Sequence, residues 1–173
     1  MNVLDALKAK RVTDQHKVWV DLDNNKATFP LFATDGRFVG FQVFSPDSPK
    51  KADKPSNARY FTWSSEPALW GLDTVPQDAK VVYVTEAVFR ATALHSVGVP
   101  AVSVLGSSMH KPLLRLLNKS NVKFVWIGDP DNAGAKLIKK FKHGGVQSPK
   151  DLDDMTHDEL LAFKQVLDTT FGV

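Results

Sequence analysis

The sequence contains no cysteine. That excludes disulfides, zinc–thiolate centres and cysteine nucleophiles, and it suits a reducing cytoplasm. Long apolar runs are missing as well. No stretch is long and apolar enough to cross a bilayer, so no membrane partner is expected. The opening residues, MNVLDALKAKRV, lack the continuous apolar core of a signal peptide. They read instead as a short amphipathic helix bearing Lys8, Lys10 and Arg11. There is no internal repeat and no low-complexity segment. A strong excess of one charge is absent too: 22 basic and 19 acidic residues leave a net charge of +3, which favours anionic partners only weakly. What remains is a 173-residue chain, 43% hydrophobic, able to bury a core as one compact domain with a smaller appendage.

The hydrophobic patterning divides the chain in two. Residues 1–76 read as a small antiparallel β-rich subdomain. Residues 17–22 (KVWVDL) and 26–33 (KATFPLFA) are short extended runs, and Asp35 with Gly36 between apolar runs is the best hairpin signal present. Residues 45–60 carry Pro46, Pro49 and Pro55 with little apolar content and read as a loop. Residues 77–173 alternate strand and helix. Apolar strands at 80–85, 101–106 and 122–128 are separated by helical spacing at 86–98, 107–119 and 132–142. Ser107 or Ser108 is the expected cap of the second helix, with Pro112 near its start. Strands apolar on both faces and separated by helices predict an α/β domain with a parallel sheet covered on both sides. Thr156 and Glu159 have the spacing of a capping box ahead of a final amphipathic helix. Trp70 and Trp126 are assigned to the core; His95 and His110 are read as structural.

In an open parallel sheet, ligands bind beyond the carboxyl ends of the strands. Glu86 stands just past the first strand, and Asp129 and Asp131 just past the third. All three therefore project from one edge. Crowded carboxylates need a positive partner. Oxygen donors without a nearby His or Cys favour a hard cation, Mg²⁺ or Mn²⁺. The plainer reading of DPDNAG is a helix start, with Asp131 or Asn132 as N-cap and the acids at the positive end of the helix dipole. Gly134 would let a backbone or a phosphate come close. Asp151, Asp153 and Asp154 form a further acidic turn, either solvated or the source of one more metal ligand.

The stretches VVYVTEAVFRATALHSVGVPAVSVLGSS and VKFVWIGDPDNAGAKLIKKF resemble the Toprim domain of bacterial and bacteriophage primases. In that family an apolar strand ends in glutamate; a helix, a strand ending in Leu-Gly and a strand ending in D-x-D-x-A-G follow. SPKDLDDM is similar to its later lysine–aspartate segment. FPLFATDGRFVGFQVFS and NARYFTWSSEPALWGLD are similar to the small subdomain that precedes Toprim in these primases. The resemblance spans roughly residues 27–160. It implies a Toprim-like parallel sheet and Mg²⁺-dependent (or Mn²⁺-dependent) nucleotidyl transfer, with Glu86, Asp129 and Asp131 catalytic and metal-binding and Asp151 a further ligand. It also implies nucleotides and single-stranded DNA as partners, primer synthesis in replication as the role, and the cytoplasm as the place, the host's if a bacteriophage encodes the chain.

Two positions depart from the family pattern. Ala87 stands where glycine usually follows the glutamate, and Arg90 where an acid usually lies four residues after it. Arg90 either binds a phosphate or quenches the metal site. A zinc-binding template module, a helicase-like region and the helical C-terminal half of a primase core are not found in the sequence. The expectation is a minimal Toprim protein served by a separate helicase or other replication protein. Arg37, Lys50, Lys51, Lys54 and Arg59 surround the 45–60 loop, and Lys136 and Lys140 lie on the third helix. With Arg90 they are the candidates for nucleic-acid contact, and Tyr60, Phe61 or Trp63 for stacking on bases. A solvated helix face and hairpin packing account for the same residues without a ligand. Two other readings stay open: a Toprim nuclease with water as the attacking group, and a module that binds DNA or a replication protein without chemistry.

Overall fold

The computed structural model describes residues 1–106 and 109–172. Strands β1 (Trp19–Asp21), β2 (Lys26–Phe32), β3 (Phe38–Phe44) and β4 (Tyr60–Ser64) form an antiparallel sheet in the order β1-β2-β3-β4. Alternation along β2 turns Ala27, Phe29 and Leu31 inward, each fully buried. The expected hairpin turn joins β2 to β3, with Gly36 at φ 89°, a conformation open to glycine at no steric cost. Residues 45–59 are irregular apart from a 3₁₀ turn at Pro55–Asn57. β4 is a strand that the sequence pattern does not announce, because its five residues are all partly or largely exposed and show no inward stripe.

The second half contains β5 (Val81–Thr85), α2 (Val88–His95), β6 (Ala101–Ser103), α3 (Lys111–Lys119), β7 (Lys123–Gly128), α4 (Asn132–Ile138) and β8 (Gly145–Gln147). Its sheet is parallel, in the order β6-β5-β7-β8. β5 and β7 lie side by side at the centre and are buried almost throughout, which is why each reads as an unbroken apolar run. Edge strand β8 has only three residues, none buried, and leaves no hydrophobic signature. α3 starts at Lys111 with Pro112 in its first turn, where the missing N–H would be unpaired anyway. Ser107 and Ser108, expected to cap it, lie outside the described residues. The chain ends in α5 (His157–Phe171), entered through the expected capping box. Thr156 Oγ1 accepts from the Glu159 N–H at 3.1 Å, and the Glu159 carboxylate accepts from the Thr156 N–H at 3.0 Å.

The two sheets share one core. Val3, Ala6 and Leu7 of α1 (Val3–Ala9) pack in one cluster with Phe29 and Leu31 of β2, Leu94 of α2 and Leu160 of α5. Main-chain pairing of Phe32 with Leu69 and of Trp70 with Ser103 stitches the halves together. Trp70 and Trp126 are both buried, as expected. His95 is structural: its Nε2–H donates to the Ala101 carbonyl at 2.9 Å, which leaves Nδ1 to accept from His16 Nε2–H at 2.9 Å. His16 Nδ1 in turn accepts from the Thr13 N–H at 3.0 Å. This chain assigns one neutral tautomer to each ring, because a proton on either acceptor nitrogen would face another donor.

Candidate metal centre

Register places the acids. Val84 of β5 pairs with Trp126 of β7, so Glu86 and the Asp129–Asp131 segment leave the sheet next to each other. The turn after β5 is pinned by buried Thr85, whose hydroxyl is within hydrogen-bond distance of the Val102 carbonyl at 3.0 Å and the Ala87 carbonyl at 3.1 Å. The turn after β7 is pinned by Gln147, whose amide donates to the carbonyls of Asp129 and Asp131 at 3.1 and 2.8 Å. One carboxylate oxygen from each of Glu86, Asp129 and Asp131 lies within 4.8 Å of the others.

Both readings of DPDNAG hold at Asp131. It belongs to this cluster, and its Oδ1 also accepts from the Gly134 N–H at 2.6 Å as the N-cap of α4. The closeness expected at Gly134 is to backbone: a Cβ there would stand 2.4 Å from the Asp129 carbonyl oxygen. Gly128 is pressed against Gly134 in the same way, so α4 rests directly on the end of β7.

Glu86 is the most perturbed of the acids. Burial, then the nearby Asp129 and Asp131 charges, push its carboxyl up to about 7, against the opposing pull of Arg90. Its Oε1 is buried and has no hydrogen-bond partner among the described residues. A buried, unpaired carboxylate oxygen facing two more carboxylates is the environment a hard divalent cation satisfies, and all the donors are oxygen. The residues therefore fit Mg²⁺ or Mn²⁺.

Asp151, expected among the ligands, is not in that cluster. Its carboxylate is held by Arg90, with Nη2 at 3.1 Å. Arg90, for which contact with a phosphate and quenching of the metal site both stood open, turns into the acids. Its Nε and Nη2 reach both oxygens of Asp129 at 3.1 and 3.3 Å, and its Nη1 donates to Asp153. Burial opposes the charge of Arg90, but Asp129, Asp153 and Asp151 more than offset it and raise its pKa above the ordinary value. Asp153 also accepts from Lys10 Nζ at 2.7 Å. Burial works against its ionised form, yet Lys10 and Arg90 hold its pKa below the usual carboxylate value.

Glu86, Asp129, Asp151, Asp153 and Asp154 line a cleft of about 510 Å³ together with Lys10, Lys50, Arg59 and Tyr60. Lys50 and Arg59, candidates for nucleic-acid contact, are thus in the same cleft as the acids. Arg37 is not: it pairs with Asp35 at 2.7 Å and Glu66 at 2.6 Å, away from the cleft. Lys51, Lys54, Lys136 and Lys140 are exposed and do not line it. Tyr60 lines the cleft but stacks on Phe44, and Trp63 packs against Phe41 while staying half exposed. Sequence reasoning missed Lys10 and Gln147 as parts of the site, and it gave Asp153 no partner. Lys10 and Asp153 lie 143 residues apart, and no local pattern links them.

Comparison with known proteins agrees with this geometry. A family model described as Toprim-like matches residues 83–155. The DNA primase of Clostridium acetobutylicum is 25% identical over 136 residues, covering 76% of this chain and 22% of that protein. The Aquifex aeolicus primase (zinc-binding and RNA polymerase domains) superposes with a TM-score of 0.64 at 20% identity, covering 96% of this chain and 46% of that one. The DnaG primase catalytic domain bound to ssDNA superposes with a TM-score of 0.59 at 21% identity, covering 95% and 60%. Residues 83–155 of the parallel half are thus similar to Toprim-like domains, and the whole chain has a primase-core-like α/β fold. This chain spans about a fifth of the length of the curated relative. No described helix is long and apolar enough to cross a membrane.

Proposed function

We propose that this chain is a primase-related nucleotidyltransferase that joins nucleotides on single-stranded DNA during replication, in the cytoplasm and with Mg²⁺ or Mn²⁺. One observation carries the reading: Glu86, Asp129 and Asp131, from two adjacent strand ends, converge within 4.8 Å, and Glu86 and Asp129 line a cleft shared with Lys50 and Arg59. Glu86, Asp129 and Asp131 would hold the ion, which neutralises charge on the phosphate being transferred. Lys50 and Arg59 attract and orient an anionic triphosphate or strand. Glu86, with a pKa of about 7, is poised to hold or release a proton at neutral pH. Residues 1–76 supply Lys50 and Arg59, and residues 77–173 the acids. The likeness to a primase domain bound to ssDNA supports the choice of template.

A second reading, a Toprim module that binds DNA or a replication protein without chemistry, is favoured by Arg90, which neutralises part of the acidic set. One assay separates the readings. The protein is incubated with single-stranded DNA, labelled ribonucleotides and Mg²⁺. Oligonucleotide products support the proposal. Shortened DNA supports a nuclease, and strand retention with neither outcome supports the module.

A further inference from the structure

We infer that Arg90 is a built-in cation standing where a second divalent ion would sit, so that this site takes one metal ion, at Glu86, Asp129 and Asp131. The inference rests on the metal-binding reading above and concerns how many ions that site admits.

Four carboxylates at the acidic end of the cleft, Glu86, Asp129, Asp151 and Asp153, and Asp131 beside them take part in this arrangement. They fall into two sets that share Asp129. In one set the Arg90 guanidinium reaches Asp129, Asp151 and Asp153 together, and Lys10 takes the second oxygen of Asp153. The contacts with Asp129 and Asp153 are shielded, with the Arg90 side chain 19% exposed and that of Asp153 6%, whereas Asp151 is 37% exposed. In the other set no ion pair to Glu86 or Asp131 is formed among the described residues, Arg90 acting on Glu86 only from a distance, and the buried Glu86 Oε1 has no hydrogen-bond partner among them. One set thus carries its own positive charge and the other lacks one.

Both cannot be filled by metal while Arg90 stays. A Mg²⁺ ion needs oxygens at about 2.0–2.1 Å, whereas the guanidinium nitrogens already lie 3.1 Å from the oxygens of Asp129 and Asp151 that an ion there would use. Nor can the arginine yield by losing its proton, since a guanidinium stays charged at any working pH. A fixed guanidinium matches an ion's charge and fastens the Asp151–Asp153 turn to α2. It offers no open coordination position and no bound water to activate. Asp129 is the shared member: both of its oxygens accept from Arg90, and each retains a further lone pair toward Glu86 and Asp131.

The test is a Mn²⁺ titration of the full chain, reading free ion by electron paramagnetic resonance, on the wild type, Arg90→Lys and Arg90→Gln. The expected stoichiometry is one ion per chain for the wild type and for Arg90→Lys, which keeps the charge, and two for Arg90→Gln. Thermal melts on the same samples should show a larger rise in Tm with Mn²⁺ for Arg90→Gln than for the wild type. Two ions in the wild type, or one ion and an unchanged Tm gain in Arg90→Gln, overturn the inference and leave the metal site standing. No ion in any of the three removes the metal-binding reading, and this inference with it.

Discussion

Asp131 has two tasks that chemistry can separate. Asparagine caps a helix about as well as aspartate but carries no charge. Asp131→Asn should therefore leave urea-unfolding stability within about 0.5 kcal/mol of wild type. It should weaken Mn²⁺ binding at least about tenfold, measured by the same titration. Asp131→Ala should lose both, with a further cost of about 1 kcal/mol for the cap. Gly134→Ala should cost about 1–3 kcal/mol, because the new methyl meets the backbone of Asp129 rather than a side chain that can move. At Glu86 the sign of the pH effect follows from its raised pKa of about 7. Below that value the carboxyl is protonated in the fold and must release its proton to bind an ion. Mn²⁺ affinity should then fall by up to about tenfold per pH unit as pH drops from 7 to 5, a trend that calorimetry in two buffers checks. The three clustered acids were legible from sequence because each ends a buried strand, and adjacency of two such strands does the rest. The pairing of Arg90 with three aspartates was not, since two of them arrive from a turn more than sixty residues further along.

The elements most visible beforehand are those whose burial is one-sided or complete. β5 and β7 announce themselves by unbroken apolar runs, and α5 by its capping box. Thr156→Ala should remove one member of that box and cost about 1 kcal/mol in urea unfolding. The elements that escaped notice, β4 and β8, have no fully buried residue. They exist because a neighbouring strand offers unpaired N–H and C=O groups, and such pairing leaves no trace in side-chain pattern. Helix ends were overestimated for a related reason. α4 stops at Ile138 although the lysines beyond it suit a helix well, because the chain must turn back to place β8 beside β7. Gln147, just at the end of β8, owes its grip on the Asp129–Asp131 turn to that return.

Across the whole molecule the halves are joined by a part-buried hydrogen-bond chain from Thr13 through His16 and His95 to Ala101. Burial, and then the neighbouring His95, lower the pKa of His16 to about 4; burial lowers that of His95 too. The folded state therefore resists protonation that the unfolded chain accepts below about pH 6.5. Stability should be full above that pH and decline as pH falls toward 4, by on the order of 2–3 kcal/mol from His16. Urea melts between pH 4 and 8 would show it, and His16→Gln should flatten the slope. A second feature of the assembly concerns how the cleft is divided. Lys10, Lys50 and Arg59 belong to the antiparallel portion, while the aspartates and Glu86 belong to the parallel one. Lys10 reaches across to Asp153, while Arg90 supplies positive charge from within the parallel portion. Because one core fastens both portions, the spacing of these charges is set before an incoming polyanion arrives.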